Sequence, residues 1–147
     1  MPVANILPDG DVTANWDVTT GATHWDEVNE KTVLSGGSPD DATFVETPTD
    51  SDVDEFTLQD APVNTDLVNT IDVQIRAKID DGASLAKIRL ELFHSGSTPV
   101  TGNPKDVVGG DLGGYGVLGE ATKQWGSLSL TRTQANSLQL RQTKLAS

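Results

Sequence analysis

Cysteine is absent from this chain of 147 residues, which excludes disulfides and thiolate metal sites. Aromatics are scarce: three Trp, three Phe and one Tyr make up 5% of the residues, so few stacking surfaces are available to a ligand. No apolar run approaches the roughly 20 residues that a membrane-spanning helix needs. Residues 1–7 have neither a basic start nor a long apolar stretch, so no signal peptide is expected there, and synthesis and assembly inside a cell are. Histidine occurs only at His24 and His94, far apart in the chain, and without cysteine this leaves zinc badly served. Basic residues are the other shortage. Ten Lys and Arg stand against 22 Asp and Glu, a net charge of −12, which argues against nucleic acid because phosphates are bound by clustered cations.

The length suits one domain with one core, spanning 1–147. Charge is spread unevenly along it. Residues 1–66 hold 15 acids and one base, Lys31 (−14), whereas residues 67–147 hold 7 acids and 9 bases (+2). A solvated acidic surface is one reading. Complementarity between copies is the other, with acids up to Asp66 facing Arg132, Arg141 and Lys144 of a neighbour.

The dominant periodicity is two. Ile71, Val73, Ile75, Ala77 and Ile79 alternate with polar residues, the pattern of a strand buried on one face. Ile88, Leu90 and Leu92 alternate in the same way after the turn residues Asp80-Asp81-Gly82-Ala83, which predicts a hairpin. Shorter strands are expected over 12–18, 32–35, 42–46, 53–58, 124–131 and 137–145. Turns separate them at 8–11, 36–41 and 47–52. A helical turn with Thr131 as N-cap fits 131–136. Many short strands with regular turn signals predict an all-β fold, an antiparallel β-sandwich of jelly-roll-like type. Residues 95–120, rich in glycine between Gly109 and Gly119, read as a long connection without strands.

Motifs with chemical content are few. Gly114-Tyr115-Gly116-Val117-Leu118-Gly119 matches G-x-G-x-x-G, but no helix is expected after it and no acid lies beyond Glu120 to hold a ribose. Asp9 and Asp11, and Asp50, Asp52 and Asp54, suggest calcium, yet neither run fits the twelve-residue loop with its closing Glu. Neither His has a Ser and Asp at recognisable spacing, and no carboxylate pair stands out, so no enzyme, metal or cofactor is expected. Trp16, in phase with Ala14 and Val18, reads as buried. Trp25 reads as the Trp most exposed to solvent.

The segments Leu7-Pro8-Asp9-Gly10-Asp11-Val12 followed by Trp16, His24-Trp25-Asp26-Glu27-Val28-Asn29-Glu30, Ser38-Pro39-Asp40-Asp41-Ala42-Thr43-Phe44-Val45-Glu46, Ile75-Arg76-Ala77-Lys78 and Leu138-Gln139-Leu140-Arg141 occur in this order. So arranged, the chain resembles small β-sandwich virion structural proteins of tailed bacteriophages. That resemblance implies a jelly-roll-like fold, a place on a particle assembled in the host cytoplasm, and no catalytic residue. The implied partners are copies of the chain itself and a major capsid or tail protein. The expected contact elements are residues 1–11 and 95–120. Tyr115, Leu112, Leu118, Trp25, Arg132, Arg141 and Lys144 are the candidate interface residues. Two other readings share the architecture. One is a carbohydrate-binding module with Trp25, Tyr115 or Trp125 as its platform; the other is a filament subunit in which residues 2–7 complete a neighbour's sheet.

Overall fold

A computed structural model describes residues 3–19, 23–28, 36–38, 41–80 and 86–145. The strand expected at 32–35 and the turn residues Asp81, Gly82 and Ala83 lie outside the described residues. Within them the chain is all-β, with antiparallel pairing throughout. The main sheet has six strands: β1 (Pro8–Ala14), β4 (Val53–Leu58), β12 (Gln139–Leu145), β7 (Lys87–His94) and β8 (Thr98–Pro99) lie side by side, and β9 (Lys105–Val108) also pairs with β7. Three two-stranded ladders complete the fold. They join β6 (Ile71–Ala77) to β10 (Gly119–Trp125), β5 (Leu67–Val68) to β11 (Leu130–Thr131), and β2 (Asp17–Val18) to β3 (Val45–Glu46).

Alternation sets the faces of each strand. In β7, Ile88, Leu90 and Leu92 are buried while Lys87, Arg89 and Glu91 are half-buried on the other side. The register aligns Leu140 of β12 with Phe56 on one neighbour and Leu92 on the other, so one face of the sheet is continuously apolar. The opposite face carries a charged ladder. Arg141 lies between Glu55 and Glu91 and bonds Glu55 at 2.7 Å, and its guanidinium sits 4.4 Å from the Phe93 ring centre. Next to it, Arg89 grips Asp106 at 2.8 and 3.1 Å.

The expected hairpin does not form. β6 pairs with β10 and β7 pairs with β12, β8 and β9. Alternation fixes which face of a strand is apolar but not which strand lies beside it. The two strands meet instead through their side chains: Ile71, Val73 and Ile75 pack against the core that contains Ile88, Leu90 and Leu92. The turn expected at 8–11 is likewise part of β1, whose register shifts on both sides of the Gly10–Asp11 pair mark bulges. Among the described residues two α-helical turns, α1 (His24–Glu27) and α2 (Arg132–Ala135), punctuate the chain. Thr131 caps α2 as expected, its Oγ1 accepting from Gln134 N while Gln134 Oε1 accepts from Thr131 N.

Candidate functional site

The stretch 95–120 is built structure rather than an open connection. It contains β8, β9, a 3-10 turn at Gly109–Leu112 and the start of β10. Glycine is required at two of its positions. A Cβ on Gly119 would lie 1.9 Å from the Leu112 carbonyl oxygen, and one on Gly109 would lie 2.6 Å from Tyr115 Cγ. Leu112 is therefore a core residue at 3% exposure, which removes it from the candidate contacts. Tyr115 is half-buried with its ring against Gly109, while Val117 and Leu118 stand exposed at 46% and 42%. Asp111 Oδ2 accepts from Val108 N at 2.9 Å and Lys123 Nζ at 3.0 Å; the backbone bond first and Lys123 second hold its carboxyl below the usual carboxylate range. Where a dinucleotide site needs a helix, β10 follows the glycines.

Of the three Trp, Trp125 is fully buried and donates Nε1–H to Asn103 Oδ1 at 2.8 Å, so no ligand stacks on it. Trp16 is half-buried, packs against the core and donates to Asp52 O at 3.1 Å. Trp25, in α1, is half-buried.

The suggestive aspartates of the first half are occupied by protein donors. Asp11 accepts the backbone N–H of His24 at 2.9 Å and of Trp25 at 2.7 Å, tying α1 to β1. Asp54, fully buried, accepts Asn15 N and Trp16 N on Oδ1 at 2.8 and 2.9 Å, and its Oδ2 lies 2.8 Å from His24 Nδ1. Asp9 takes Thr57 Oγ1 and Asp52 takes Thr47 Oγ1. Each carboxylate closes a connection between strands or turns, and Asp54 is paired as a buried polar group must be. Among the described residues no group of three His, Asp or Glu is placed to hold a metal ion.

The basic candidates divide. Arg141 is used by Glu55 and Phe93, and Lys144 pairs with Asp50, so both are committed within the chain. Arg76 likewise pairs with Asp41 at 2.6 Å, and the Arg76 guanidinium holds the Asp41 carboxyl below its usual range. The acid-to-base complementarity of the two halves is thus satisfied intramolecularly at these positions; β12 lies directly beside β4, which brings Arg141 to Glu55, and Asp41 reaches Arg76 of β6. Arg132 differs: its buried Nε has no hydrogen-bond partner among the described residues.

A groove of about 770 Å³ lies where residues 3–7 cross the 61–72 segment, with Ala135 of α2 and Leu138 in its wall. Val3 and Leu67 line it at 88% and 54% exposure, and Val63, between the lining residues Pro62 and Asn64, is 84% exposed. The sequence signal for it was Val63 and Leu67, apolar residues inside the turn-rich stretch Ala61-Pro62-Val63-Asn64-Thr65-Asp66-Leu67. A second cavity of about 630 Å³ lies between β6 and the apolar face of the main sheet; its rim includes Val28, Asp41, Asp80 and Ala86, each next to residues outside the described set. No helix of the described residues is long and apolar enough to cross a membrane. Comparison with known proteins finds no matching family model, no matching curated protein and no matching solved structure.

Proposed function

We propose that this chain is a non-enzymatic virion structural protein of the decoration or accessory type. It assembles in the host cytoplasm with copies of itself and with a major capsid or tail protein. In this reading the main sheet is one layer of a jelly-roll-like β-sandwich, and β6–β10 with β5–β11 belong to the other. The supporting observation is the groove beside α2, where Val3 and Leu67 in its lining, and Val63 next to it in the chain, leave large apolar side chains in water. Single exposed apolar residues need no explanation, but several at one groove mark a surface made to be covered. Internal ion pairs at Arg76, Arg89, Lys123, Arg141 and Lys144 leave apolar contact as the stronger attraction between copies.

A carbohydrate-binding role retains Trp25 as its aromatic platform, since Trp125 is enclosed and Tyr115 is packed on Gly109. The test of the leading reading is particle mass by light scattering together with electron microscopy. Copies that gather into closed assemblies support it; a monomer at every concentration that binds glycans replaces it with the alternative.

A further inference from the structure

We infer that two copies meet through the groove face in a two-fold contact, in which Arg132 of each copy takes Asp66 of the other. This rests on the proposal that the groove face joins copies, and adds the symmetry of the contact and the charged pair that aligns it.

The register places both residues at one spot. Leu130 pairs with Val68 and Thr131 with Leu67, so Arg132 falls opposite Asp66, one step past the end of the β5–β11 ladder. There α2 begins and turns the chain off the strand line. Among the described residues neither side chain forms a hydrogen bond or an ion pair, with the other or with anything else. Asp66 is exposed and lines the groove, and Ala135 of α2 stands in the groove's wall. Arg132 is half-buried. Its Nε is enclosed by the chain, which holds the guanidinium in place, while its terminal nitrogens are open to solvent. A guanidinium already held loses less freedom on meeting a carboxylate, and Arg is a frequent anchor of interfaces. Arg76, Arg89 and Arg141, by contrast, are each engaged by an acid of their own chain.

The symmetry follows from that arrangement. A patch with a cation and an anion side by side complements itself when a second copy is turned about a two-fold axis. Base then lies over acid twice. Leu67, exposed beside Asp66, and Val63, four residues earlier, supply the apolar centre between the two pairs. The contact encloses the pairs, so salt screens them little, and the repulsion of two chains at −12 sets the response to salt.

Charge reversal tests the pair. Arg132→Glu and Asp66→Lys chains are made separately, and their association is measured by sedimentation, alone and mixed in equal amounts. Alone, each variant brings like charges together twice and dissociates about a hundredfold more readily than the parent. Asp66→Lys does so although it leaves the chain less negative than −12, the opposite of what general repulsion gives. Mixed, the two variants restore both pairs across the contact, and dimer returns to within about tenfold of the parent. A pair made inside one chain is not mended by mixing. Melting curves check that each variant is folded. Should Arg132→Glu melt early, Arg132→Gln takes its place and weakens association about tenfold. If the parent associates but the mixture stays as dissociated as either variant, or a variant at Arg132 or Asp66 associates as the parent does, the pair is overturned while the groove contact stands. If the parent stays monomeric at every concentration, both fall.

Discussion

The side-chain oxygen of Asn103 accepts the indole N–H of Trp125 at 2.8 Å and, at the same time, the backbone N–H of Leu92 at 2.9 Å. Asn103 Nδ2 returns a bond to Leu92 O, so one amide joins β7, β10 and the stretch between β8 and β9. Asn103→Ala leaves the Trp125 indole N–H and the Leu92 N–H without this acceptor in a buried setting, while Leu92 O keeps the bond from Val100 N at 2.9 Å. The expected cost is about 2–4 kcal/mol, read from urea unfolding followed by Trp fluorescence. A loss within about 0.5 kcal/mol, the range of an ordinary surface change, would show that the amide is not holding the strands together.

Gly119→Ala should be among the most damaging small changes. Its Cβ meets the backbone oxygen of Leu112 at 1.9 Å, and backbone, unlike a side-chain end, has no rotamer to move to. Overpacking of this sort costs about 1–3 kcal/mol or more. Gly126→Ala is the matched control, since its Cβ would touch nothing closer than Gln124 Oε1 at 3.9 Å. Thermal melts of the two variants should separate clearly; equal melts would refute the close approach of the 109–119 stretch to β10.

The alternating strands and the Thr131 cap were legible in the sequence because each rests on local chemistry: a period of two, or a hydroxyl three residues before a glutamine. Strand partners were not legible. Nothing local to residues 71–79 distinguishes pairing with β7 from pairing with β10, which begins forty residues further on. The 95–120 stretch was opaque for a different reason. Its glycines look like a solvent loop until the neighbours that need them, the Leu112 carbonyl and the Tyr115 ring, are placed beside them. The candidate contacts suffered accordingly. Leu112 has the apolar character of an interface residue but is spent on the core, and Arg141 and Lys144 find acids on β4 and in the turn before it.

Acid should destabilise the fold through specific carboxylates. Arg89 holds Asp106 below its usual range, and Val108 N–H with Lys123 does the same for Asp111. A carboxyl depressed in the folded state contributes stability that is fully present above the unfolded value of about 3.9 and is lost as pH falls through the folded value. The melting temperature should therefore be level from about pH 7 to 5 and fall steeply below about pH 4. Asp111→Asn should start lower at neutral pH and fall less on acidification. A parallel shift at every pH would contradict the assignment.

Salt gives a separate check on how the charges are used. Were acids of one copy held by Arg141 and Lys144 of another, association would weaken as salt rises. The internal pairs of Arg141 and Lys144 reverse that expectation: copies carrying −12 repel, and screening should leave association unchanged or strengthen it. Sedimentation at low and high salt distinguishes the two signs.

The most direct test of the account is the mass in solution of the parent and of a Val63→Asp, Leu67→Asp variant, measured by light scattering at tens of micromolar chain. Both positions are exposed, at 84% and 54%, so the variant should fold and melt with the parent. The account predicts a parent mass at a multiple of the 15.6 kDa chain and a monomeric variant. A parent that stays monomeric, or a variant that assembles as the parent does, would contradict it.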